Sequence, residues 1–86
     1  MGRTQKVRMT VHLSSGAPFA VEIDADETRL RNLGGNIEKG MAANFLGVEL
    51  DGTLHLFPLH AIRSVEITPA PTAVIKNVVR DVRRAG

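Results

Sequence analysis

Three histidines, His12, His55 and His60, are the side chains of this 86-residue chain that change charge near neutral pH without help from their surroundings. Their chemistry would be proton transfer or metal ligation, and their spacing suits neither. His55 and His60 flank Pro58 at a separation that matches neither the i, i+4 pair of a helical zinc site nor two positions on one face of a strand. His12, on the polar side of a predicted strand, and His60, in a predicted turn, read as exposed or interfacial imidazoles. The chain contains no cysteine, which removes a thiolate metal site, a thiol nucleophile and a disulfide framework together. Ser14, Ser15 and Ser64 stand in turn or strand contexts without a nucleophile-elbow pattern. Asp24, Asp26 and Glu27 cluster where a helix is expected to begin, and capping and the helix dipole account for acids there. Gly34 and Gly35 neither follow a strand nor precede a Lys-Ser/Thr pair, so they form no phosphate loop or dinucleotide fingerprint. The expectation is a non-enzymatic protein with no metal and no cofactor.

Anion binding is the chemistry that remains. Lys76, Arg80, Arg83 and Arg84 recur at helical spacing, opposite a valine stripe, with Asn77 beside them. A face of that kind offers guanidinium forks to phosphate. Phe57 is expected to point away from Leu54 and Leu56, which makes it a candidate interface anchor or base-stacking platform. Phe19 and Phe45 are expected in the core.

The charge is unevenly divided. Arg3, Lys6 and Arg8 give residues 1–8 a surplus of three positive charges, and Lys76, Arg80, Arg83 and Arg84 against Asp81 give residues 69–86 the same surplus. Residues 9–68 carry eight acids against four bases. Basic ends on an acidic body have two outlets: an external polyanion, or the acidic body of a neighbouring copy. Solvated surface charge is the third reading. A composition of 43% apolar and 23% charged residues is that of a globular chain and excludes a disordered tail. At this length one domain is expected over 1–86, because so short a chain cannot close a second core. Residues 1–5 read as a flexible basic N-terminus. No apolar run approaches the ~20 residues that span a bilayer, and no signal-peptide pattern is present. The position where a myristoylation site needs Ser or Thr is Lys6. These features predict a cytoplasmic protein without membrane attachment.

The elements that must position these groups are legible as changes of period. Val7, Met9, Val11 and Leu13 alternate with polar residues, and after Ser14-Ser15-Gly16 the residues Phe19, Val21 and Ile23 alternate again, which predicts a β-hairpin. From Asp24 the apolar residues Leu30, Leu33, Ile37 and Met41 recur every three or four positions. This predicts a helix with a capping box from Asp24 to Glu27, a break at Gly34-Gly35 and a C-terminal cap at Gly40. Period two returns at Leu46, Val48 and Leu50, then Asp51-Gly52 signals a type I′ turn, and Leu54 and Leu56 follow as inward residues of the next strand. Pro58 ends that strand, Ile62, Val65 and Ile67 form a fifth, and Pro69 and Pro71 stop it. Val74, Val78 and Val82, with Ile75 and Val79, predict a C-terminal amphipathic helix over 72–86 that a partner subunit would bury. The expected fold is α+β, in the order β-β-α-β-β-β-α. Its five antiparallel strands curl into a small, partly open barrel with an inserted helix.

The stretch Leu54, Leu56, Pro58, His60, Ala61, Ile62, Val65 and Pro69 resembles the last two strands of the Sm-like RNA-binding proteins, particularly the bacterial RNA-chaperone type, and Val11, Leu13 and Gly16 resemble the start of the Sm motif. The helix inserted after the second strand and Leu59 before His60 depart from that pattern. The resemblance implies a ring-forming oligomer that binds RNA or a nucleotide, with His60 at a pore-facing turn. The resulting expectation is a homo-oligomeric module binding RNA or a small nucleotide through Lys76, Asn77, Arg80, Arg83, Arg84, Phe57 and His60. The alternative is a structural or assembly subunit of a virion or other large complex.

Overall fold

The alternation of Val7, Met9 and Val11 with Lys6, Arg8 and Thr10 folds as predicted into β1 (Gln5–Leu13), with its apolar side buried. The computed structural model describes residues 4–70, 78–80 and 82–85. Pro18 stands just before β2 (Phe19–Ala25), which pairs antiparallel with β1 so that Met9 opposes Val21 and Val7 opposes Ile23. The helix α1 (Glu27–Ala43) leads to β3 (Phe45–Leu50) and β4 (Thr53–Pro58). A one-turn 3₁₀ helix over Leu59–Ala61 then hands the chain to β5 (Ile62–Thr68), which returns to the free side of β1.

The class and strand count are as expected, but the barrel is not formed. The strands make two separate sheets, one in the order β2-β1-β5 and one of β3-β4 alone. The physical reason lies in what covers the apolar side of β1. Instead of curling on itself, the three-stranded sheet lays Met9, Val11 and Val21 against Leu46 of β3, and Leu33 and Ile37 of α1 and Phe57 of β4 pack around that cluster. Two layers sharing one core satisfy the same need as closure. The helix packs against both β2 and β3. The 3₁₀ turn is pinned to both halves: the Ser14 amide donates to the Ala61 carbonyl at 2.9 Å, and the Leu59 amide donates to the Asn44 carbonyl at 2.9 Å.

The helix differs from expectation in four details. Its N-cap is Asp26, whose carboxylate accepts the Arg29 amide at 2.8 Å, because Asp24 is still in the ladder of β2 opposite Lys6. It runs unbroken through Gly34-Gly35, and Gly34 is buried. Tertiary contact there outweighs the ~1 kcal/mol that each glycine costs in a helix. Gly40 is not the cap. Asn44 is, in the left-handed conformation at φ 70°, with its amide donating to the Gly40 carbonyl. Met41, placed by periodicity on the inward stripe, is exposed.

The Asp51-Gly52 turn is as predicted, with both residues at positive φ, 51° and 78°. Its two-residue length makes Leu50 oppose Thr53, so Val48 opposes His55 and Leu46 opposes Phe57. Residues directly opposite share a face. Phe57 and His55 therefore turn inward with Leu46, while Leu54 and Leu56 turn out, the reverse of the expectation. Phe45 shares the outward face and is exposed rather than in the core. The predicted C-terminal helix is not found either. Residues 78–80 and 82–85 have no regular secondary structure, and the rest of 72–86 lies outside the described residues. Its valines and isoleucine are β-branched and stiff at χ1, so a stripe of them is weak support for a helix. No helix among the described residues is long and apolar enough to cross a membrane.

Candidate functional site

The described residues among those expected to bind an anion lie on the C-terminal segment, on β4 and on the 3₁₀ turn. Lys76 and Asn77 lie outside the described residues. Arg80, Arg83 and Arg84 are exposed on a segment without helical geometry, so the shared helical face inferred from their spacing does not exist there. Phe57 is half-buried, with its ring 5.2 Å from that of Phe19 in a tilted contact and nearly parallel to the His55 imidazole at 6.4 Å. His60 is exposed on the 3₁₀ turn. Among the described residues at the other end of the chain, the cations of β1 stand opposite acids. Arg8 opposes Glu22, Lys6 opposes Asp24 and reaches the Glu22 carboxylate at 3.9 Å, and His12 pairs with Glu66 across β1 and β5. The outer face of the three-stranded sheet thus neutralises its own charge, and the exposed cations Arg83 and Arg84 sit on the C-terminal segment.

Two other surfaces emerge. The first is the outward face of the β3-β4 hairpin. Leu54 is 62% and Leu56 59% exposed, and Phe45, opposite Pro58, is 49% exposed. Gly47 sets this face. A Cβ there would lie 3.2 Å from Leu56 Cδ2 and 3.7 Å from Leu54 Cδ1, so its absence lets both leucines lie across the strand. The result is an apolar strip with a single carboxylate, Glu49, opposite Leu54. Sequence reasoning missed it, although the signal was present: a two-residue turn at Asp51-Gly52 forces even-numbered β3 residues to share a face with odd-numbered β4 residues.

The second surface is a cleft of about 320 Å³ where α1 meets β2 and β3. Buried Met9, Val21 and Leu46 form its floor, with Leu33, Ile37 and Val48 above them. Exposed polar groups form the rim: Arg29, Asn32 and Asn36 from successive turns of the helix, and Glu22 and Glu49 from the strands. The Arg29 guanidinium also donates to the Asp24 carbonyl at 3.0 Å. β2 and β3 each pair on one side only among the described residues, and both line this cleft. Arg29, Asn32 and Asn36 stand at i, i+3 and i+7 on one face of α1, but nothing in the residue pattern indicates that two strand edges meet it.

The chain matches no family model, no curated protein and no solved structure.

Proposed function

We propose that the protein is a non-catalytic assembly subunit that associates with its own copies through the outward face of the β3-β4 hairpin. One observation carries the reading: Leu54 and Leu56 lie side by side over Gly47, more than half exposed, with Phe45 and Pro58 on the same face. Scattered surface leucines need no explanation, but a contiguous strip on a two-stranded hairpin is characteristic of a contact surface. A second copy is the occupant that the charge supports, because the acidic body of residues 9–68 and the basic segment 69–86 belong to the same chain and attract across copies.

The test uses mass action. An oligomer that forms through this face melts at a temperature that rises with protein concentration. Replacing both Leu54→Lys and Leu56→Lys, at positions already facing water, should preserve the far-ultraviolet circular dichroism spectrum and abolish the concentration dependence. A melting temperature independent of concentration in the unaltered protein would contradict the reading.

A further inference from the structure

The cleft between α1, β2 and β3 has an aliphatic floor. Met9, Val21 and Leu46 lie at its base, Leu33, Ile37 and Val48 stand beside them, and no aromatic side chain lines it. At about 320 Å³, with an apolar lining and a few polar groups at its mouth, it has the size and character of a small-molecule site. Without an aromatic face it gives a nucleobase nothing to stack on. The lining suits an alkyl body.

The charge at the mouth is equally selective. Both strand carboxylates turn away from the floor. Glu22 stands opposite Arg8 and reaches Lys6 on the outer face of the three-stranded sheet, and Glu49 stands opposite Leu54 on the leucine face of the hairpin. Arg29 is the one cation lining the cleft, and no carboxylate pairs with it among the described residues. Its guanidinium is held at the β2 end by donating to the Asp24 carbonyl at 3.0 Å, and the fork has further N–H donors to offer a ligand. Asn32 and Asn36 follow on the same side of the helix, and no hydrogen bond among the described residues engages their side chains. One cation flanked by amides matches a single anionic head rather than a polyphosphate.

We propose that the cleft binds a medium-chain aliphatic acid, with the alkyl chain over Met9, Val21 and Leu46 and the carboxylate on the Arg29 guanidinium. This site is separate from the self-association surface, because Leu46 and Val48 face the opposite way from Leu54 and Leu56.

Decanoate below its micelle concentration is the probe, and the amide shifts of the isotope-labelled full-length protein are the readout. Shifts should saturate at residues 21–23, 32–37 and 46–48. Two further compounds separate head from chain. Acetate has the head alone and should move nothing at the same concentration. Decylammonium has the chain with the opposite charge and should bind at least about tenfold more weakly, although the acidic body of residues 9–68 attracts cations. Arg29→Gln should weaken decanoate by about tenfold and leave decylammonium no weaker, with the circular dichroism spectrum unchanged.

Shifts that never saturate, that centre on residues 54–58 of the leucine strip, or that are equal for decanoate and decylammonium overturn the proposal. So does an unchanged decanoate affinity in a folded Arg29→Gln protein. If that variant does not fold, the comparison of the two head groups on the unaltered protein decides.

Discussion

A methyl group added at Gly40 would sit 2.8 Å from the Phe45 carbonyl oxygen, whereas one added at Gly35 meets nothing within 4 Å. Both glycines lie inside α1, where alanine is ordinarily favoured by about 1 kcal/mol. The two substitutions should therefore act in opposite directions. Gly35→Ala should stabilise by about 0.5–1 kcal/mol, since only backbone entropy changes. Gly40→Ala should destabilise by about 1–3 kcal/mol, since backbone rather than a flexible side chain must move. Denaturant titration of the two variants checks this, and a stabilised Gly40→Ala would mean that the helix end and β3 do not approach as described. Periodicity reveals that a helix passes through these glycines but is blind to which is crowded, because crowding depends on a strand that begins beyond the helix. The same limit applies to Asp24 and Asp26. Both are acids before a helix, and the ladder to β1 decides which is free to cap.

Among the elements, the β3-β4 hairpin contributes most to the candidate surface, and its turn governs which side chains reach it. Gly52 at φ 78° has open space around it, so a substitution there is penalised by backbone strain alone. Gly52→Val should cost ~1 kcal/mol or more in stability, with thermal melting as the measurement. An unchanged melting temperature would contradict the turn geometry. The five strands and the inserted helix were legible because alternation and 3.6-residue periodicity are strong over Val7–Leu13, Phe19–Ile23 and Leu30–Ile37. The hairpin's faces were misread by treating Leu54 and Leu56 as inward on hydrophobicity alone, when the turn length already fixed Phe57 and His55 opposite Leu46 and Val48. The helix predicted over 72–86 failed for a different reason. A run with valine or isoleucine at 74, 75, 78, 79 and 82 satisfies a helical stripe and a strand-prone aliphatic run equally well, and only a partner surface chooses between them.

At the scale of the whole molecule, the sheet order β2-β1-β5 and the hairpin β3-β4 share one core, while their free edges and the leucine strip face outward. Composition supplies a simple check on what accompanies the protein. With no Trp and no Tyr, the pure chain has almost no absorbance at 280 nm, so any bound nucleotide or RNA dominates its ultraviolet spectrum. An assembly built from protein alone should show only the weak phenylalanine bands, and a strong band near 260 nm that survives high salt would favour a nucleotide-binding role instead. The charge division was legible residue by residue, but the pairing of Lys6 and Arg8 with the acids of β2 appears only once the register of β1 is known. The central claim is self-association, and the mass of the unaltered chain in solution tests it most directly. Light scattering on size-exclusion fractions over a concentration series should give multiples of the 9.3 kDa subunit that grow with concentration. A constant mass of one subunit up to high micromolar concentration would contradict it.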